Sequence, residues 1–240
     1  GFDGFENYSM KNRTYRYVTG TPLYPFGYGL SYTSFSMEAG EILADGEKVQ
    51  VSVKITNTGE TFSGKEVVQI YAACPQAGLT KEWKRLCGYG KTEELRPGES
   101  QTLTVEMGAD AFASYDESRS AWILEKGSYV LLAGNSSASA EAIGVLRVEE
   151  TVVYDQVTVI CPLQEELHEI TPDCARLAAE QEKLVTQTLA QEKPAPQTPE
   201  QEKLVVEIPE QSKPVLIWRP EPKRRSAIPQ KAYDETANTL

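Results

Sequence analysis

The sequence predicts an all-β chain in three parts: a β-sandwich, an extended N-terminal segment ahead of it and a largely disordered C-terminal linker behind it. Three observations carry that prediction. Between Tyr32 and Glu150 apolar and polar residues alternate with period two, as they do where strands bury one face and wet the other. Turn formers recur through the same stretch every ten or so residues. All 17 glycines lie between Gly1 and Gly144, whereas 10 of the 14 prolines lie between Pro162 and Pro229, so the chain changes character near residue 150. The expected divisions are therefore 1–31, 32–150 and 151–240.

Residues 1–30 are dense in Tyr, Phe and Gly. In Pro22-Leu23-Tyr24-Pro25-Phe26-Gly27-Tyr28-Gly29-Leu30, two prolines and two glycines work against any regular element. The segment must hold on by its rings, and Tyr15, Tyr17, Tyr24, Phe26 and Tyr28 are its expected anchors at a domain interface. The opening Gly-Phe-Asp, without an initiator Met, suggests a piece of something longer.

Val49, Val51, Val53 and Ile55 point inward on the clearest strand, which Asn57-Thr58-Gly59-Glu60 and Gly64 close with a turn. Val67–Ala72 follows, and then, after a loop containing Pro75 and Gly78, Leu86–Lys91. The turn Pro97-Gly98-Glu99-Ser100 leads into Gln101–Met107. Phe112–Asp116 reads as a helical turn crossing between sheets. Ala121–Leu124, Tyr129–Ala133 and Ile143–Val148 bring the count to seven or eight short strands, with Trp122 expected in the core. That number and spacing fit an immunoglobulin-like or fibronectin-type-III β-sandwich of about 115 residues.

Beyond Val153 the strand signals fade. From Gln181 a ten-residue unit repeats, opening with Gln181-Glu182-Lys183, Gln191-Glu192-Lys193, Gln201-Glu202-Lys203 and Gln211-Ser212-Lys213. Each copy holds too few aliphatics to offset the cost of ordering a chain, so the repeat reads as an extended linker, partly polyproline-like. A transient helix fits residues 174–192. Val215-Leu216-Ile217-Trp218 is the one apolar knot in the tail and reads as a docking strand.

Chemistry is sparse. The net charge of −11 repels phosphate backbones and anionic membranes, so neither nucleic acid nor a membrane is an expected partner. The basic run Lys223-Arg224-Arg225 reads as a solvated patch. The single histidine, His168, lies where the tail begins, away from any folded site that a triad or zinc centre would need. Cys74, Cys87, Cys161 and Cys174 lack Cys-x-x-Cys spacing, so no metal site and no cofactor is expected. Their spread suits free thiols in a cytoplasmic setting, with a Cys74–Cys87 bridge and a secreted location as the alternatives. Asn7, Asn12 and Asn135 begin glycosylation-type triplets, a short pattern common by chance.

The visible carboxylate pairs, Glu93-Glu94 and Asp116-Glu117, are adjacent in sequence. A glycosidase needs two carboxyls facing each other across a sugar at about 5–9.5 Å. No pair here is identified as such. Gly27-Tyr28-Gly29 lacks the helix and Lys-Ser/Thr of a phosphate loop. Trp83, beside Lys81, Glu82, Lys84 and Arg85, is the residue best suited to stack on a sugar; the competing reading packs it over a sandwich edge or a neighbouring domain.

The run Asn12-Arg13-Thr14-Tyr15-Arg16-Tyr17, with Pro22 to Thr33, resembles the end of the α/β domain of family 3 glycoside hydrolases, the β-glucosidase group. Asn57-Thr58-Gly59, Gly64 to Tyr71, Lys84 to Tyr89, Pro97 to Ser100, Trp122 and Gly127-Ser128-Tyr129 are similar to the fibronectin-type-III-like domain that follows it there. The resemblance covers about residues 8–148. It implies a parent that removes terminal β-linked glucose or related sugars with retention, through an Asp on a barrel and a Glu on the α/β domain. Neither region is present, so the resemblance places no catalytic residue in this chain, which is expected to be inactive alone and to have the catalytic domains of its own polypeptide as partners. Thr151–Gln156 and Leu167–Asp173 are similar to the region after the sandwich in circularly permuted members, where a linker leads on to the barrel. The rival expectation is a stand-alone carbohydrate-binding or adhesion module that holds a β-linked oligo- or polysaccharide on Trp83.

Overall fold

A computed structural model describes residues 10–18, 20–159 and 214–223. Apart from one helical turn, α1 (Thr14–Tyr17), and a 3-10 turn at Ala109–Phe112, the regular elements are strands. They are β1 (Phe35–Ala44), β2 (Lys48–Asn57), β3 (Val67–Ala73), β4 (Arg85–Lys91), β5 (Ser100–Gly108), β6 (Ser114–Asp116), β7 (Ala121–Leu124), β8 (Gly127–Gly134), β9 (Glu141–Val148), β10 (Val152–Gln156) and β11 (Val215–Trp218).

One sheet has the order β1-β2-β5 and a second the order β11-β9-β8-β3-β4. Every pairing in these two is antiparallel except that of β11 with β9. The main core lies between them. Val49, Val51, Val53 and Ile55 of β2, with Val105 and Met107 of β5, meet Val68, Ile70 and Ala72 of β3, Leu131 of β8 and Leu146 of β9. Full burial of each such aliphatic stabilises the fold by about 1.5–3 kcal/mol. The alternation in β2 decides its register, because a slip by one residue would exchange these valines for Gln50, Ser52 and Lys54. On the wet face Ser52 meets Thr104 at 3.2 Å and Thr56 meets Ser100 at 2.7 Å.

The sheets close up where β4 approaches β5. A Cβ at Gly88 would stand 2.7 Å from Met107 Cγ and 2.9 Å from Val105 Cγ1, so only glycine permits the approach. A small third sheet, β10-β7-β6, completes the fold.

Several expectations change. Trp122 is not a core residue: it is 43% exposed and its ring lies 5.6 Å from Tyr115. Its sheet has three strands and turns Ala121 and Ile123 inward, which leaves Trp122 on the other face. The predicted helical turn at Phe112–Asp116 is displaced, because the 3-10 turn ends at Phe112 and Ser114–Asp116 is strand. β1 was not among the expected strands because Gly40-Glu41 breaks its alternation, where the pairing register also shifts between Ala39 and Ile42. Strand structure also continues past Val153, as β10. The N-terminal segment holds one turn of helix, α1, where it was read as extended throughout. Cys74 and Cys87 are free thiols, as expected, and the alternative of a bridge between them falls away. The docking strand is β11. The earlier repeat copies, the helix expected at 174–192, His168, Cys161 and Cys174 lie outside the described residues.

Candidate functional site: an aromatic roof on the sandwich

Strand β3 is buried on both faces, an unusual pattern for an antiparallel sandwich strand. Its inward residues feed the main core, while Tyr71 and Ala73 join Val130, Leu132 and Val145 in a second, smaller cluster on the outer face of the five-stranded sheet. Tyr15 packs on that cluster. Its ring stacks on Phe26 at 4.5 Å and meets Tyr71 edge-on at 5.8 Å. Its hydroxyl accepts a hydrogen bond from the Leu86 N–H at 2.7 Å. The N-terminal segment is thus a roof over the sheet, and α1 is the turn that lowers Tyr15 onto it.

Below the roof, polar groups are paired among themselves. The Tyr71 hydroxyl donates to Gln69 Oε1, and Gln69 Nε2 donates to the Asn135 carbonyl at 3.0 Å. The Ser137 N–H donates to the Phe26 carbonyl at 2.8 Å. Gly27, at φ +82°, supplies the left-handed residue that the turn from Pro25 to Tyr28 requires, closed by a Tyr28 N–H to Pro25 carbonyl bond of 2.9 Å.

The loop from Cys74 to Lys84 fastens the same edge with buried charge. Lys81 is ion-paired with Glu125 and also donates to the Pro75 carbonyl at 2.6 Å. Glu82 faces Arg85 at 2.7 Å and Arg16 of the roof at 3.9 Å. The two buried carboxylates of this region, Glu82 and Glu125, are both committed to cations. Lys84 donates to the Ser137 carbonyl and stands 4.0 Å from the Trp83 ring centroid and 5.3 Å from that of Tyr71. Burial lowers its pKa to about 8, whereas burial and the nearby Tyr15 push the Tyr71 hydroxyl up.

The second fastening is at the far end of the roof. Asn57 is fully buried; its Oδ1 accepts from Thr33 Oγ1 at 2.6 Å and from the Gly59 N–H at 3.0 Å, and its Nδ2 donates to the carbonyls of Phe62 and Leu95, both at 2.9 Å. A Cβ at Gly64 would come within 2.9 Å of Thr33 Cγ2. The Asn57-Thr58-Gly59 and Gly64 signatures therefore clip Thr33, the joint between the roof and β1.

Of the sequence-predicted site residues, the structure brings Trp83, Tyr15 and Phe26 together. The Trp83 indole N–H donates to the Tyr15 carbonyl at 3.1 Å, and the ring is half-buried. Tyr17 is half-buried on α1. Tyr24 and Tyr28 lie 5.3 Å apart and are exposed. Leu23, Leu30 and Tyr32 are 87%, 90% and 91% exposed, which makes the outer side of the roof an apolar strip. Thr33 and Glu125 were not singled out, Asn57 was read only as a turn residue and Lys84 only as a neighbour of Trp83. Their roles depend on partners 24 to 53 positions away in the chain, which no local pattern displays. Among the described residues no group of three or more His, Cys, Asp or Glu side chains is placed to hold a metal ion.

The fibronectin type III-like domain model matches residues 66–137, the stretch that runs from β3 through β8. Residues 66–137 are a fibronectin type III-like domain. The chain is 40% identical over 158 residues to a β-glucosidase of Ruminococcus albus, covering 62% of this chain and 15% of that protein. It is 33% identical over 155 residues to a β-glucosidase of Kluyveromyces marxianus, covering 64% of this chain and 18% of the relative. Among solved structures, a β-glucosidase from Paenibacillus barengoltzii superposes with a TM-score of 0.55 at 38% identity, over 57% of this chain and 16% of that one. The chain therefore spans less than a fifth of the length of these relatives.

Proposed function

We propose that this chain is the non-catalytic accessory part of a family 3 β-glucosidase-like glycoside hydrolase, and that its partners are the catalytic domains of the same polypeptide. In this reading the parent cleaves terminal β-linked sugars, while the fibronectin type III-like domain holds the roof segment as a preformed edge against the preceding domain. The observation that carries it is the two-sidedness of the roof. Tyr15 packs its ring on the sandwich, whereas Leu23, Tyr24, Phe26, Tyr28, Leu30 and Tyr32 remain exposed on one continuous segment, Phe26 with one face on Tyr15. Isolated soluble domains rarely leave large apolar patches without a partner. The tail past β10 leads, in the permuted arrangement, towards a barrel.

The isolated chain is expected to release no chromophore from an aryl β-glucoside. Turnover that survives repurification and tracks with the protein overturns the reading.

The rival, a carbohydrate-binding module centred on Trp83, has a half-buried ring in its favour. Against it, the indole N–H is already donated to Tyr15 and the Lys84 ammonium stands over the ring. Retention on an insoluble β-glucan separates the two. A module loses retention on Trp83→Ala, whereas the accessory domain shows none with either protein.

A further inference from the structure

The tail returns to the sandwich as part of its core. Trp218 is 1% exposed, its ring meets Phe112 at 5.2 Å and Tyr129 at 6.2 Å, and its N–H donates to the Asp45 carbonyl at 2.6 Å. β11 pairs with the edge of β9 in parallel, Val215 opposite Val145 and Trp218 opposite Val148. The clamp continues to Lys223, where the Glu221 N–H donates to the Gly46 carbonyl at 2.6 Å and the Lys223 N–H to the Tyr154 carbonyl at 2.8 Å. Two glycines shape the receiving surface. A Cβ at Gly144 would lie 3.2 Å from the Pro214 carbonyl oxygen, and one at Gly46 would lie 2.6 Å from Glu221 Cγ.

This is a built groove for an extended, Trp-anchored strand. What occupies it comes from far away in sequence, because residues 160–213 separate it from the rest of the fold. Fifty-odd residues span at most on the order of 180 Å when fully extended. Connectivity therefore does not force the strap into its own molecule's groove. Main-chain ladder bonds plus one deep aromatic anchor are the recognition elements by which a separate peptide adds to a sheet edge.

We infer that the β9 edge, the Asp45–Gly46 turn and Tyr154 form a strand-accepting groove whose exchangeable occupant is the 214–223 strap of a second copy of this chain. Two copies that trade straps bury identical contacts in each groove, so the assembly closes as a symmetric pair and needs no new surface. In dilute solution the strap's own groove wins by effective concentration. Exchange becomes visible as the chain concentration approaches that effective concentration.

The test uses full-length chains. Tagged and untagged wild-type chains are mixed at high concentration and captured; untagged chain is expected in the captured fraction, in a share that rises with concentration, and an excess of a peptide of residues 214–223 is expected to compete it away. A peptide carrying Ala at the Trp position should compete at least tenfold more weakly. Because the exposed roof offers a second route to self-association, chains carrying Tyr24→Ser, Leu30→Ser and Tyr32→Ser are measured beside the wild type and should be captured to the same extent. No capture at any concentration, capture indifferent to both peptides, or capture lost in the roof variant each overturns the exchange.

Discussion

The Trp83 indole N–H donates to the main-chain carbonyl of Tyr15 across 3.1 Å, joining residues 68 positions apart in sequence. That bond ties the charged loop between β3 and β4 to the roof segment, and it accounts for a Trp amid four charged residues. Trp83 closes the loop against Tyr15 while Lys84 and Glu82, on either side of it, reach the Ser137 carbonyl and Arg85.

Tyr15 is accordingly the keystone of the roof. Tyr15→Phe leaves the stack on Phe26 and deprives the Leu86 N–H of its acceptor, a loss of about 1 kcal/mol. Tyr15→Ala also removes the ring from the outer cluster and should cost about 3 kcal/mol. Hydrogen exchange checks both: the Leu86 amide should lose protection in each variant, while amides of β2 and β5 keep theirs in Tyr15→Phe.

The Lys81–Glu125 pair is buried on both sides. Removing one partner of such a pair strands the other charge away from water, at a cost of about 3–5 kcal/mol. Glu125→Ala should therefore lower stability to chemical denaturation by about that amount, and the double variant Glu125→Leu/Lys81→Met should recover most of the loss. A double variant as unstable as the single one would show that the loop is held by something else.

Lys84 gives the fold a pH dependence of definite sign. Its pKa in the folded chain is about 8, against 10.5 for an ordinary lysine, because burial disfavours the ammonium. Between those values the unfolded chain binds more protons than the folded one, so this group makes stability rise with pH from about 8 to about 10.5. Below pH 8 the cost of burying the charge is fully present. Lys84→Met should flatten that slope, with the gap between the two proteins closing by on the order of 2 kcal/mol across the window. The Trp83 ring, facing the ammonium at 4.0 Å, offers an optical readout. Tryptophan emission should titrate with a midpoint near pH 8 in the wild type and not in Lys84→Met.

The strands that alternate cleanly, β2 and β5, were legible in the sequence because each buries one face in a single core. Trp122 was misread for the same reason. It alternates correctly, but period two does not say which of two faces is covered, and the three-stranded sheet covers the face of Ala121 and Ile123. The turn residues Asn57, Gly59 and Gly64 were visible as punctuation, yet their common role in holding Thr33 is a relation between distant segments. Val215–Trp218 was recognisable as a strand by its run of apolar residues. That Trp218 completes the core beside Phe112 and Tyr129 depends on the groove that receives it, which is assembled from the ends of other strands.

The central claim is that the exposed side of the roof exists to dock the fibronectin type III-like domain onto catalytic domains. The most direct measurement replaces the matching segment of the Ruminococcus albus β-glucosidase, 40% identical over 158 residues, with this chain's own, and compares that chimera with one carrying Tyr24→Ser, Leu30→Ser and Tyr32→Ser. The account predicts that the first chimera melts in one transition and keeps β-glucosidase activity, and that the serine chimera melts in two, with activity lost at the lower one. Equal melting and equal activity for the two chimeras would contradict it.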